Sequence, residues 1–442
     1  MRTILSAAVG VLLAVVLILL PTTGPRVAPP RHERNLSVTI TGPEGRPVRL
    51  AVEAFTLAAG SESRAYADAG ELARLVTDTL RQDLSFEGVF DVIPAQDPAE
   101  AGLQDADGLV KGTVRASDGR LDVELRIDKV ATGEEAFARA YEAPAAAARV
   151  LAHTAADEIH RLVAGVHGIA HSRLAFVSDR GGTRRELGGM MRRFKEVWVA
   201  DYDGANEHRV TFDGDLDLTP SWSPDRRAIA YTTFRSGRQD ILVSLLDERR
   251  VESPTRGVGT NRLPAWSPDG SRIAFASTRD GNEEIYVVNR DGRDVRRLTR
   301  HYAIDTAPAW SPDGTKIAFT SNRTGSPQIW VMNADGSDAR ALTAEKYCDR
   351  PTWSPAPYNE IAYVSRTKTG FDIKVIDVAS GQGRQLTFGN GFNESPAFGP
   401  NGRHIAFSST RRGGQQIWII SRTGDRLRQV TTIGNNTMPS WK

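Results

Sequence analysis

At 442 residues the chain has room for more than one domain and a sizeable core. Lys plus Arg is 56 against 54 for Asp plus Glu, so the overall charge selects neither nucleic acid nor acidic lipid. The one cysteine, Cys348, excludes an intrachain disulfide and says little about redox compartment.

Arg2 precedes an apolar run of 17 residues, Ile4 to Leu20, followed by the Pro-rich stretch Pro21 to Pro30. This reads as a signal peptide over residues 1–30, or as an uncleaved signal anchor, since the run reaches the short edge of a membrane span and lacks a clean Ala-x-Ala. No cysteine follows closely, which excludes a lipoprotein anchor. Either reading exports the remainder.

Residues 31–168 read as a small α/β domain. Leu36–Ile40 and Val48–Val52 have strand character, and Glu71–Leu84 carries apolar residues at three- and four-residue spacing, the mark of an amphipathic helix. Phe90–Ile93, Gly108–Val114 and Leu121–Val130 follow as strands, the last two joined at Asp118-Gly119. A second helix is expected from Pro144, which suits a first turn, to Val163, with Gly165 and Gly168 ending it.

From residue 169 the chain repeats. The fullest copy is Pro264-Ala-Trp-Ser-Pro-Asp-Gly270, then Ile273-Ala-Phe275, Ile285-Tyr-Val287 and Arg297-Leu-Thr299. Its first aromatic recurs at Trp222, Trp266, Trp310, Trp353, Phe398 and Trp441, in steps of 44, 44, 43, 45 and 43 residues. A 40–45-residue period with several short strands marks a β-propeller blade. Leu174-Ala-Phe176 opens a blade with no Pro-x-aromatic before it, and Pro439-Ser-Trp441 is left without a blade after it. The expected fold is thus all-β, a six-bladed β-propeller over residues 169–442 preceded by the small α/β domain. The final strand is expected to complete blade one and remove an open seam.

Ser-Pro-Asp-Gly is a turn with a mechanism: Pro presets φ, Asp bonds local backbone and Gly accepts positive φ. It joins the first strand of a blade to the second, and Asn-x-Asp-Gly joins the third to the fourth. The aromatic anchors are expected to wedge between blades. Antiparallel order then puts both turns on one face. The loops after each second strand and the connections into each Pro-x-aromatic segment fall on the other, around the channel mouth. Those connections are varied and polar, and include Asp215–Asp217, Thr260–Arg262, Ile304–Thr306, Cys348–Arg350 and Asn393–Glu394. Varied loops on a constant scaffold are where binding is placed. From Leu174 to Ile229 is 55 residues, so blade one carries an insertion around Gly181–Phe194, with Arg184, Arg185, Arg192, Arg193, Met190 and Met191. It reads either as a partner contact or as a solvated hairpin.

Catalytic and metal chemistry find little support. His167 and His171 have i,i+4 spacing but Gly168 lies between them, and Asp213, Asp215 and Asp217 open like a calcium loop that lacks its Gly and distal Glu. No nucleophile elbow, zinc-peptidase or phosphate-loop motif is present, and the paired arginines lack interleaved aromatics for nucleic acid. No catalytic residue, metal or cofactor is assigned.

The chain resembles the TolB family of the Tol–Pal envelope system. Beside the repeats, the resemblance rests on Val52-Glu-Ala-Phe55, Arg81 to Phe90, His153 to Ile159, Asp201-Tyr-Asp-Gly204 and Pro439-Ser-Trp441. It implies a periplasmic, non-enzymatic, monomeric scaffold serving outer-membrane integrity and cell division. A Pal-like lipoprotein would dock at the propeller mouth and a TolA-like protein at about Arg34–Ile40. The contact residues would be Thr260, Asn261, Arg262, Asp305 and Thr306, with Asp349, Arg350, Asn393 and Glu394 in the loops beside them. A propeller enzyme and a membrane-anchored sensor remain as alternatives.

Overall fold

The computed structural model describes residues 46–58, 69–95, 105–163, 165–181, 184–187 and 190–442, with backbone alone at 184–187 and 190–193. The signal at 1–30, the strand Leu36–Ile40 and the segment Arg34–Ile40 lie outside the described residues.

The first unit is a mixed sheet with two helices on one face. Its strands are β1 (Val48–Glu53), β2 (Thr56–Leu57), β3 (Phe90–Ala95), β4 (Gly108–Ser117), β5 (Arg120–Lys129) and β6 (Glu135–Pro144), in the order β3-β1-β4-β5-β6 with β2 continuing beside β4. β1 runs parallel to β3 and β4, while β4, β5 and β6 form an antiparallel meander turned at Asp118-Gly119, both at positive φ. The inward set Val110, Val114, Leu121, Val123, Leu125 and Ile127 alternates along β4 and β5, as a one-sided sheet requires. It meets Leu72, Val76 and Leu80 of α1 (Ala69–Phe86) and Leu151, Ala155 and Ile159 of α2 (Ala148–Val163).

Two boundaries differ from expectation. Residues 135–144 form β6, where no strand was anticipated, and Pro144 ends that strand instead of opening a helix. A short 3-10 turn, Ala145–Ala147, then leads into α2 at Ala148. The sequence Glu-Ala-Phe-Ala-Arg-Ala-Tyr-Glu-Ala-Pro has few β-branched residues. Nine residues paired against β5 override that propensity, and Phe137 and Tyr141 are buried.

The repeats fold into six four-stranded antiparallel sheets. Strands are lettered a to d from the axis outward. Blade two is Asp217–Trp222, Ala228–Thr233, Asp240–Leu245 and Arg250–Glu252, and blades three to six begin at Asn261, Asp305, Cys348 and Asn393. Blade one takes b, c and d from Arg173–Ser178, Glu196–Asp201 and His208–Arg209. Its a strand is Asn436–Trp441, with Trp441 opposite Leu174. The insertion forms a hairpin, Arg184–Leu187 with Met190–Arg193, in the b–c loop of blade one.

The aromatic anchors sit between neighbouring blades. Trp266 of blade three packs on Ala228, Ala230, Ile241 and Val243 of blade two, and Trp310 on Ala274, Ile285 and Val287 of blade three. Phe398 and Trp441 repeat the arrangement at the last two junctions. Each ring removes a large apolar surface from water while locking two sheets in register.

The α/β unit rests on the turn face of blades one and six and shares one core with them. Leu84 and Ala156 belong to the same cluster as Leu174, Tyr202, Ile417 and Trp441. Polar contacts frame it: Arg149 with Asp203, Asn401 Nδ2 to Glu87 at 3.0 Å, and the indole N–H of Trp441 to Ser172 Oγ at 2.8 Å. The mouth, on the opposite face, is left uncovered by the described residues of this unit.

Candidate functional site

Each innermost strand is broken by a bulge one residue before its proline. Thr219, Leu263, Ala307, Arg350, Ser395 and Met438 all have φ between 49° and 58°, and the strand register shifts at each. Left-handed φ at a non-glycine residue costs of order 1–3 kcal/mol, so the repeat holds six strained residues in a ring. Two are secured across a blade junction: Leu263 N–H donates to Thr232 Oγ1 at 3.0 Å and Arg350 N–H to Thr320 Oγ1 at 3.2 Å. With the following prolines they line an axial throat of about 110 Å3. Five of the six positions are uncharged, and Arg350 is the exception.

Around the throat, the nine residues singled out from sequence divide into two layers. Asn261, Asp305 and Asn393 are fully buried and hold the loops from beneath. Asn261 donates to Asp240 Oδ1 at 2.9 Å and Val258 O at 3.0 Å, and accepts from Ser277 Oγ at 2.8 Å and Arg279 at 3.2 Å. Asn393 repeats this with Asp372, Ser409 and Arg411, and Asp305 takes Arg323 Nη2 at 2.5 Å. Every hydrogen-bonding group of the Asn261 amide is occupied, so the side chain specifies loop shape.

Thr260, Arg262, Thr306, Asp349, Arg350 and Glu394 form the upper, half-buried layer. Arg262 forks onto Glu283, which also accepts from Thr306 Oγ1 at 3.4 Å, and the bond to Glu283 holds the guanidinium pKa up. Asp349 accepts from Thr320 Oγ1 at 2.9 Å and Tyr347 Oη at 3.2 Å. The structure thus brings these six together on one face across blades three to six.

Sequence reasoning passed over the apolar members of the same connections. Val258, Tyr302, Ile304, Phe392 and Ile433 lie within three residues of the innermost strands of blades three, four, six and one, and all are exposed, Tyr302 by 86%. Phe212 and Phe388, each 70% exposed, stand where two of those connections begin. The available signal was a large apolar residue in a loop, flanked by small or polar residues. A clustered exposed apolar set marks an interaction surface.

His153, His160, His171 and His404 lie in or beside the interface between the α/β unit and the propeller. His153 Nδ1 lies 2.7 Å from Asp83 Oδ2, and Tyr202 Oη donates to Asp83 Oδ1 at 2.6 Å, so one buried carboxylate ties α1, α2 and blade one. Glu87 accepts from the N–H of Ile169 at 2.9 Å, and burial pushes its pKa up to about 8. His160 bonds Ala156 O through Nδ1 and turns Nε2 toward Glu87 at 3.8 Å. His404 stacks on Phe86 at 5.2 Å, and burial lowers its pKa to about 3. His171 pairs with Asp157 at 2.9 Å. No group of three or more ligating side chains is arranged for a metal among the described residues.

The described helices include none long and apolar enough to cross a membrane. The family model for the TolB beta propeller domain matches residues 160–442. The Tol-Pal system protein TolB of Anaeromyxobacter dehalogenans is 35% identical over 228 residues, 48% of each chain. That of Bordetella parapertussis is 33% identical over 187 residues, 39% of each. The chain thus spans about half the length of the curated relatives it matches. The crystal structure of TolB from Acinetobacter baumannii superposes with a TM-score of 0.75 over 90% of this chain and 96% of that one, at 24% identity, a likeness of fold. With well over half of its residues inside the matched model and the axial ring complete, the chain belongs to the TolB β-propeller family.

Proposed function

We propose that this chain is an exported scaffold of a Tol–Pal-type envelope machine that docks a Pal-like lipoprotein on the propeller mouth. The observation that carries the reading is the set of exposed apolar side chains, Val258, Tyr302, Ile304, Phe392 and Ile433, around a recessed throat on the face the α/β unit leaves uncovered. Aromatic and aliphatic anchors in a rim of polar loops are what a protein partner buries. Thr260, Arg262, Thr306, Asp349, Arg350 and Glu394 supply the polar rim. Asn261, Asp305 and Asn393 hold the loops in shape from below. A TolA-like protein would engage Arg34–Ile40, and signal cleavage or anchoring would place the whole in the periplasm. The role is structural: the mouth holds a partner and no reaction is assigned to it.

The test is direct binding of the soluble domain of the Pal-like lipoprotein from the same genome to the full exported chain. Tyr302→Asp with Phe392→Asp is expected to weaken binding at least about a hundredfold, as truncated hot spots do. Arg296→Ala, on the turn face, is expected to leave it unchanged. Equal affinity for all three proteins would refute the mouth as the docking face.

A further inference from the structure

The mouth is not electrically uniform, and the contacts implied by family resemblance, in the loops entering blades three and four, are not its most distinctive part. In the sector of blade five, Tyr347, Phe371 and Phe392 form a continuous aromatic ledge, with ring centroids 5.6 Å and 6.1 Å apart. Phe392 is exposed and faces Gly370, in the b–c loop of blade five. That loop also presents Arg366 and Lys368. Lys346 stands in the connection into blade five, Arg412 in the b–c loop of blade six, and Arg350 in the throat. None of these five cations has a carboxylate partner among the described residues, although Arg412 is turned to the outer strands of its blade, donating to Gln429 Oε1 at 3.3 Å and lying over the Trp418 ring.

The carboxylates nearby are engaged. Glu345 accepts from Lys374 at 2.7 Å, Ser365 at 2.6 Å and Tyr363 at 2.8 Å, and Asp349 is tied to Thr320 and Tyr347. Asp349, Asp372 and Glu394 offset the sector in part, Asp372 from within the blade, where Thr387 and Asn393 hold it. On the turn face, Arg227 pairs with Asp247, Arg293 with Asp291 and Arg296 with Asp294. Exposed cations without a carboxylate partner among the described residues occur elsewhere too, Arg235 and Arg249 of blade two among them; what sets this sector apart is that Lys346, Arg366 and Lys368 stand beside an exposed aromatic ledge.

We propose that this sector is a recognition patch for an acidic segment of the docked protein, its carboxylates meeting Arg366, Lys368 and Lys346 while an apolar side chain seats on Phe392. The inference rests on the docking reading above and adds the chemistry of the partner. A protein segment fits better than a lipid surface because the ledge borders a recessed throat, which a convex element fills and a flat bilayer spans without touching Arg350. Free cations beside an anchor act mainly on the encounter, raising the association rate by attraction that salt screens.

The experiment measures association and dissociation rates of the full chain with the soluble domain of the Pal-like lipoprotein at 50 and 500 mM NaCl. The expected result is an association rate that falls about tenfold or more over that range. Arg366→Glu with Lys368→Glu should slow association about tenfold at 50 mM and less than about twofold at 500 mM, since screening removes what the reversal changes. Phe392→Ala should instead speed dissociation. A salt-insensitive rate, unaltered by the charge reversal but with Phe392→Ala still weakening binding, would overturn the charge reading and leave the docking reading standing. No binding at either salt would overturn both. Vesicles containing 30% phosphatidylglycerol form the last arm: capture by vesicles that the reversal abolishes, with no capture of the lipoprotein domain, would assign the patch to a membrane surface and overturn the proposal.

Discussion

Glu87 offers a quantitative handle on how the α/β unit is held to the propeller. It is 5% exposed, its carboxyl bridges the N–H of Ile169 to Asn401 of blade six, and burial raises its pKa to about 8 from 4.5. Between those values the folded protein keeps a proton that the unfolded chain has released, so stability is full below pH 4.5 and falls as pH rises toward 8. Buried His160 and His404 act with the opposite sign, because their folded pKa values lie below the ordinary 6.5 and stability is lost as pH drops beneath that point. Above pH 6.5 the histidines are silent and Glu87 can be read alone. At about 1.36 kcal/mol per pH unit, rounding off near the folded pKa, the loss from pH 6.5 to 8 is roughly 1.5–2 kcal/mol. Glu87→Gln removes the titration, and because an amide cannot accept from both Ile169 and Asn401 it also forfeits a hydrogen bond, about 1 kcal/mol. Urea unfolding of both proteins at several pH values gives the difference between them, in which every shared group cancels. The variant is expected to be weaker at pH 6.5 and to draw level with or pass the parent by pH 8. A difference that stays constant across that window would show that the Glu87 carboxyl is ionised when folded, and the reasoning would be wrong.

Trp266→Ala should cost roughly 3–5 kcal/mol, because the ring is shared by blades two and three and neither sheet can collapse into its space; equilibrium unfolding showing a loss under about 1 kcal/mol would place the ring at the surface. His404→Phe keeps the stack on Phe86 and removes a group that must take up a proton on unfolding below pH 6.5. The fall in stability between pH 6.5 and 5 should shrink by up to about 1.4 kcal/mol per pH unit, read in the same urea titrations.

The propeller was legible because its repeat is written in residues whose roles are local: Pro, Asp and Gly for the turn, an aromatic for the wedge. Closure through Asn436–Trp441 followed from counting, since one blade lacked a strand and one strand lacked a blade. β6 was not legible because its alanines carry no strand preference, and pairing with β5 supplies what propensity omits. At the mouth, polarity misled. Asn261, Asp305 and Asn393 are polar, in loops, at the right end of the propeller, and wholly inside. Ser277, Ser409 and the arginines at 279, 323 and 411, which sit at or just past the end of the next strand, 16 to 18 residues along, reveal that the polar heads are already spoken for. The aromatic ledge was missed for a related reason: Tyr347, Phe371 and Phe392 come from three separate segments and meet only in the folded ring.

The clasp of blade one has a consequence for the order of assembly. Trp441 lies in the same cluster as Leu84, Ile159 and Tyr202, and its indole bonds Ser172 in the hinge between the two units. Segments some 260 residues apart in sequence must meet to close the ring, so the part of the helical core that leans on blade one is expected to form late. The helices already rest on their own sheet, and the tail strand gives them a second seat. A lesion at Trp441 is therefore expected to loosen the closure of blade one and the seat of the α/β unit together.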